Sequence, residues 1–166
     1  GVAMVALPWL ALELTGSATA AGAVATAAAL PLIAASLVSG TVVDWFGRRR
    51  TAVVSDLLSL LAVAAIPIAD ATVGLSIGLL VAFAALGAAF DPAGITARET
   101  LLPAAAHKAG WGLERANSVH EAVWNTAFLV GPGLGGLLIA TVGAATTLWV
   151  TAAGFALSLT LTARVR

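Results

Sequence analysis

Three long stretches of this chain contain no charged side chain: Leu14 to Val43, Ala71 to Phe90 and Ala122 to Ala163. A helix needs about 20 apolar residues to cross the hydrocarbon core of a bilayer. Hydrophobic residues make up 60% of the chain and charged residues 10%, and the mean hydropathy is +1.03. This balance lies outside that of water-soluble domains. The chain is therefore predicted to be an all-α, polytopic membrane protein.

Turn signals divide these stretches into six predicted transmembrane helices. Gly16 and Ser17 suit a tight turn after the first, Asp70 closes the third, and Gly143 marks the turn between the fifth and sixth. The first segment is too short to cross a bilayer, so we expect a first helix that is truncated at its start. The six predicted spans are 1–15, 18–43, 51–69, 72–90, 117–141 and 144–163.

All eight basic residues fall on one side of this six-span arrangement. The opposite loops hold only Asp70 and, near a helix end, Glu13. Lysine and arginine favour the loops on the cytoplasmic side of a membrane. We therefore predict a multi-pass protein of the cytoplasmic (inner) membrane with both ends in the cytoplasm and the lipid bilayer as its surroundings. The basic residues are Arg48, Arg49, Arg50, Arg98, Lys108, Arg115, Arg164 and Arg166.

Several functional classes are disfavoured by what the chain lacks. It has no cysteine, which rules out disulfide scaffolds and thiolate zinc sites. Its two histidines have no metal-ligand spacing, and no glycine-rich phosphate loop or nucleophile with an adjacent base is present. A net charge of zero gives no sign of nucleic-acid binding. The sequence predicts no enzyme, no metal, no cofactor and no nucleic-acid partner.

The end of the second predicted helix carries a charged motif, Gly40 to Arg49. Gly40 and Asp44 lie one turn apart on the same helix face, so the small residue permits close helix approach beside the carboxylate. Gly47 suits the left-handed conformation of a tight turn, which would bring Arg48 back toward Asp44. The motif predicts a charge latch at the helix end, with Arg49 beside it.

Three further acidic residues lie near the arginines in the sequence. Asp91, near the inner end of the fourth predicted helix, is one candidate partner for Arg48. Glu99 is the other, if that helix extends further, and the sequence does not choose between them. Asp56 lies about a turn and a half past Arg50, and we expect it to neutralise the arginine cluster rather than to bind substrate.

The fifth predicted helix contains the run "GPGLGG". Pro132 must disturb the backbone hydrogen bonds, and Gly131 with Gly135 forms a pair of small residues, followed by Gly136, that lets another helix pack tightly. A generic packing motif is the alternative interpretation.

A carboxylate at the bilayer centre costs roughly 2.5–3.5 kcal/mol, so each one needs a partner, a cavity or a proton. Glu121 shares a polar and aromatic helix face with Trp124 and Asn125, which suits a wet cavity. Glu13 is a second candidate, on the outer part of the same cavity. The cavity and protonation candidates are Glu121, Trp124, Asn125 and Glu13.

The pattern Gly-x-x-x-Asp-x-x-Gly-Arg-Arg resembles the signature between the second and third helices of the major facilitator superfamily. The run Gly131 to Gly136 is similar to the antiporter motif in the fifth helix of its drug exporters. Most of the chain resembles the branch that includes macrolide and siderophore exporters. The stretches that carry this wider resemblance are "LPWLALELTGSATAAG", "VSDLLSLLAV", "DPAGITARETLLP" and "LERANSVHEAVWN".

This resemblance implies the N-terminal six-helix half of a twelve-helix facilitator fold, with the C-terminal six-helix half as its missing partner. It also implies secondary active export of amphipathic small molecules by alternating access, with protons as the candidate coupling ion. The predicted span 72–90 has no arginine, although many proton-coupled members carry one in helix four. The alternative is a six-helix membrane protein that associates with itself and binds or scaffolds without transport.

Overall fold

The computed structural model describes residues 2–164, and these residues form six α-helices and no strand. The predicted all-α class is confirmed. Five of the helices are long and apolar enough to cross a membrane, and α1 is a shorter apolar helix. The helices are α1 (Val2–Thr15), α2 (Ala18–Phe46), α3 (Arg48–Thr72), α4 (Ile77–Lys108), α5 (Leu113–Val142) and α6 (Ala144–Arg164).

The turns between the helices depend on glycines and serines. Gly47 alone separates α2 from α3, and Gly143 alone separates α5 from α6, with φ of 81° and 85°. Side chains disfavour such positive φ values, so glycine suits both corners. Ser17 and Ser76 begin α2 and α4, and each hydroxyl accepts a hydrogen bond from the backbone N–H three residues later, at 3.4 and 3.3 Å.

All six prolines of the chain lie inside helices. A proline removes one backbone donor and disturbs the helix, which long helices tolerate when neighbouring helices and side chains satisfy the freed groups. Prolines inside every helix but α6 are thus in keeping with a membrane bundle. They are Pro8, Pro31, Pro67, Pro92, Pro103 and Pro132.

The helix α4 differs most from its predicted span. It begins after a turn at residues 73–76 and continues to Lys108, whereas the predicted span was 72–90. The prediction ended the span at the first charged residue, Asp91. The helix continues past Asp91 and Pro92, and its next charged residue, Arg98, has a partner inside the bundle. The helix therefore carries an arginine, which the shorter predicted span lacked.

The helices pack around α3 and α4. The helix α4 lies along both α2 and α3, α3 also lies along α6, and α1 contacts α2, α5 and α6. Ile66, Leu80 and Leu148 are fully buried among small residues from the other helices. Large apolar side chains face outward instead on α2 and α5, where Leu37 and Leu129 are each 82% exposed. A membrane bundle presents such a surface to lipid or to other protein.

Candidate functional site

The turn between α2 and α3, together with Arg48–Arg50, forms a corner that we call the basic corner. Gly47 has the positive φ that the sequence predicts for this turn. The expected close helix approach at Gly40 is absent among the described residues, because a Cβ atom added there would meet nothing within 4 Å. Asp44 is exposed in the last turn of α2.

Arg48 links α3 to α4, but not through an ion pair. Its guanidinium donates to the backbone carbonyl of Thr100 at 3.3 Å. Among residues 2–164, Arg48 forms no ion pair with the three carboxylates that the sequence predicts as its candidate partners, Asp44, Asp91 and Glu99. Arg48 is the first residue of α3, and its side chain extends across to α4 instead of returning to α2.

Arg49 makes a second link at the basic corner. Its guanidinium donates to the carbonyl of Ala163, near the end of α6. A third link joins α4 to α2, where the hydroxyl of Thr96 donates to that of Ser39 at 3.1 Å. Together with Arg48, these bonds link α2, α3, α4 and α6 on one side of the bundle.

An ion pair lies deeper in the bundle, between Asp56 on α3 and Arg98 on α4. Asp56 is 1% exposed, and the side chain of Arg98 is 31% exposed. The second carboxylate oxygen of Asp56 accepts a hydrogen bond from the hydroxyl of Ser158 on α6 at 2.7 Å. We call these three residues the Asp56 network. It joins three helices through one buried carboxylate.

The expectation that Asp56 neutralises the arginine cluster is wrong. Its carboxylate faces the interior of the bundle, on the side of α3 that also buries Ser55 and Ser59. The cluster, Arg48–Arg50, lies on the exposed surface. A buried charge needs a partner at hydrogen-bonding distance, and Arg98 supplies it.

Gly94 lets α3 and α4 approach closely beside this network. A Cβ atom on Gly94 would lie 2.8 Å from the hydroxyl oxygen of Ser55 and 3.3 Å from the guanidinium of Arg98. The same serine hydroxyl donates to the carbonyl of Phe90, one turn earlier on α4. A side chain at position 94 would push the two helices apart or displace the arginine.

A cavity of about 860 Å³ opens beside the Asp56 network. Its wall is mostly apolar and comes from α1, α3, α4, α5 and α6. Besides the network, the polar lining includes Thr126 and Thr151, and the hydroxyl of Thr151 is buried with no hydrogen-bond partner in the described chain. The apolar lining includes Val123, Val130, Leu134, Val150 and Phe155. A few polar groups within an apolar wall are typical of small-molecule sites.

The predicted cavity residues lie elsewhere. Glu121, Trp124 and Asn125 are on the exposed face of α5, outside the lining of this cavity. Glu13 accepts a hydrogen bond at 2.8 Å from the indole N–H of Trp9, on the exposed side of α1. These four residues therefore lie on the outer surface of the bundle, where they are accessible to lipid or to another part of the protein.

The run of glycines in α5 makes one close contact. A Cβ atom on Gly135 would lie 3.4 Å from the Cα atom of Val2 on α1, whereas one on Gly136 would meet nothing within 4 Å. Gly131 lines the cavity, and Pro132 lies inside α5 without ending it. The packing interpretation of this run therefore applies at Gly135.

The sequence interpretation missed Arg98, Gly94 and Ser158. The signal for the first two was present, because Gly94 and Arg98 are four residues apart and share a helix face. To use this signal, one would have had to predict that the fourth helix continues past Asp91. Nothing in the sequence around Ser158 distinguishes it from the other hydroxyl residues of α6.

A six-helix bundle of this length and apolarity, with a charged corner after its second helix, is the class of structure that membrane transporters of the facilitator type use. A family model described as Major Facilitator Superfamily matches residues 1–166. The chain belongs to this superfamily, and it is a multi-pass membrane protein.

The curated relatives are named as efflux pumps. The chain is 53% identical over 162 residues to the multidrug efflux pump Tap of Mycolicibacterium fortuitum, and this match covers 96% of the chain and 40% of that protein. It is also 53% identical to Tap of Mycobacterium bovis and Mycobacterium tuberculosis, again over 96% of the chain and 39% of each relative. The chain thus spans about two fifths of these relatives. No solved structure matches it significantly.

Proposed function

We propose that this chain is part of a secondary active exporter of amphipathic small molecules that works by alternating access. The observation that carries the proposal is the 53% identity to multidrug efflux pumps across 96% of the chain. The apolar cavity with its few polar groups supports the substrate class, because amphipathic molecules need both. In this proposal both ends of the chain face the cytoplasm, and a further six-helix half completes the transporter. The alternative of a scaffold without transport has no comparable support.

The basic corner is the proposed conformational latch. Arg48 and Arg49 hold α3 against α4 and α6, so these helix ends move together. Asp44 is exposed and forms no ion pair within residues 2–164. We infer that its carboxylate contacts the rest of the transporter in one of the two alternating states, and we keep Asp91 and Glu99 on α4 as proposed members of the latch. Such a contact would stabilise the outward-facing state.

The latch predicts a loss of export when Asp44 loses its charge. In the natural full-length protein, Asp44→Asn should lower drug export at least tenfold while insertion into the membrane stays normal, since a contact made in only one state controls the transition. Export of a fluorescent drug from cells measures this. Glu114→Gln is the matched control, because Glu114 is an exposed acid on α5 that lies outside the latch. Full export by Asp44→Asn would refute the latch.

We also propose that export is coupled to the movement of protons. Glu121 and Asp91 are the candidate residues that take up and release the proton, since each is a carboxylate without an ion pair among the described residues. The same export assay tests the coupling. An uncoupler that collapses the proton gradient should stop export, and export that resists the uncoupler would argue against protons as the coupling ion.

A further inference from the structure

A second cavity, of about 880 Å³, lies on the outer side of the bundle next to the basic corner. We call it the α2–α3 groove, because those two helices form its walls and α4 forms its floor. It is distinct from the cavity beside the Asp56 network, and the two have no lining residue in common. The lining residues on which the following argument depends are Ala35, Phe46, Arg49, Arg50, Thr51 and Ala93.

The length of the groove matches one leaflet of a bilayer. Its wall on α2 runs from Ala35 to Phe46, which is roughly 16 Å along a helix that rises 1.5 Å per residue. The hydrocarbon core of a bilayer is about 30 Å thick, so one leaflet contributes about half of that. The four lining residues of α2 are apolar, and Arg49, Arg50 and Thr51 lie at the end of the groove next to Phe46. Ser55, one turn further along α3, has its hydroxyl bonded to the carbonyl of Phe90.

That polar end favours an anion. Arg49 and Arg50 both line it, and Arg50 forms no hydrogen bond or ion pair with another residue of the described chain, whereas Arg49 donates to Ala163. The groove end also meets the start of α3, where Gly47 provides no side-chain cap for the free backbone N–H groups. Arginine side chains and helix N-termini both bind phosphate groups.

A buried hydroxyl at the same end lacks a partner. Thr51 is 5% exposed, lines the groove, and its hydroxyl forms no hydrogen bond within residues 2–164. A buried polar group without a partner is costly, and a ligand that hydrogen-bonds at that point would relieve the cost. An oxygen-rich headgroup beside Arg50 would accept a hydrogen bond from this hydroxyl.

We propose that the α2–α3 groove binds an anionic phospholipid from the leaflet that meets the basic corner. An acyl chain lies along the apolar wall of α2, and the phosphate lies against Arg50 and Thr51 at the start of α3. Charge complementarity and the length of one leaflet favour a lipid over a soluble anion. The site goes beyond the proposed transport activity, and binding is measured without transport, so either proposal can fail alone.

Lipid retention by the purified, natural full-length protein tests this site. Native mass spectrometry would compare dioleoyl phosphatidylglycerol, which is anionic, with dioleoyl phosphatidylcholine, which is not. We expect preferential binding of the anionic lipid and a roughly fivefold weaker affinity in Arg50→Gln, the effect of losing one arginine near an anionic headgroup. Thr51→Val should weaken binding of the same lipid, since it removes the donor with little change in shape.

Two controls separate this site from general attraction to a basic surface. Arg115→Gln also removes one positive charge, but Arg115 lies outside the groove and stacks on Trp111 with 4.4 Å to the ring centroid, so it should bind lipid like the wild type. Ala93→Phe fills the floor of the groove and should abolish retention. If the Ala93→Phe variant does not fold, the binding affinity of Arg50→Gln still tests the proposal.

Three results would overturn the proposal. Equal retention of the two lipids would mean that the groove does not select an anionic headgroup. Equal losses in Arg50→Gln and Arg115→Gln would mean that only total charge matters. Displacement of the lipid by inorganic phosphate alone, with Ala93→Phe still binding, would mean that the corner binds free phosphate and not a lipid chain.

Discussion

Asp56 is buried where a carboxylate without a partner would be costly, and Arg98 reaches it from α4. The carboxylate is 1% exposed, and its two oxygens are used separately, one by Arg98 and one by Ser158. A buried pair of this kind contributes little to stability compared with apolar residues of similar size, but the loss of one partner leaves an uncompensated charge. The network therefore fixes how α3, α4 and α6 lie together more than it stabilises the protein.

The buried carboxylate of Asp56 predicts an asymmetric cycle of substitutions. Asp56→Ala should lower the free energy of unfolding by about 3 kcal/mol, the low end of the range for broken buried pairs because Arg98 is partly exposed. Thermal unfolding in detergent would show a drop of roughly 10 °C. The double variant Asp56→Ala with Arg98→Ala should recover part of this loss, because no charge is then left without a partner.

Additive losses in the double variant would contradict the role of the pair. Ser158→Ala serves as the milder comparison, since it removes one hydrogen bond and leaves the ion pair in place. Its expected cost is about 1–2 kcal/mol.

Among the helices, the contact between α3 and α4 has the least tolerance for added volume. Gly94 faces Ser55 so closely that a Cβ atom would lie 2.8 Å from the serine hydroxyl oxygen. Real Cβ atoms do not approach other atoms to this distance, so one helix or one side chain must move. The same helix face carries Arg98, one turn further along α4, and the ion pair depends on the close approach.

Gly94→Ala should therefore destabilise the bundle by about 1–3 kcal/mol through overpacking. The matched control is Gly136→Ala on α5, where a Cβ atom meets nothing within 4 Å. The control should be neutral or stabilising, since alanine favours a helix over glycine by about 1 kcal/mol. Thermal unfolding of both variants in detergent measures the difference. Equal stability of the two would contradict the close contact at Gly94.

The sequence predicted the helices of this chain well and the side-chain contacts between them poorly. The uncharged stretches and the glycine turns predicted six helices, because both signals are local. The partner of Asp56 was not predictable in this way, since Arg98 lies 42 residues further along the chain and was assigned to a polar connection. The expected ion pair between Arg48 and Asp44 is absent among the described residues. Local spacing in the sequence does not decide which way a long side chain extends.

At the scale of the whole molecule, the basic residues are distributed unevenly along the chain. The sequence places all eight basic residues at one end of the predicted six-span arrangement, although Arg98 lies within α4 and pairs with Asp56 inside the bundle. The basic corner, the proposed latch and the polar end of the α2–α3 groove are at that same end. Moving arginine through a bilayer is costly, so these residues report which helix ends share a membrane surface. In the predicted arrangement, Asp70 and the turn at residues 73–76 belong to the opposite surface.

Site-directed cysteine labelling tests this arrangement most directly, because the chain itself contains no cysteine. In a cysteine-free background of the full-length protein, Trp45→Cys at the basic corner and Ala109→Cys after α4 should react with an impermeant reagent only when the membrane is opened. Val73→Cys, after α3, should react in intact cells. All three positions are exposed. Labelling of positions 45 and 109 from opposite surfaces would contradict the six-span arrangement and, with it, the transporter account.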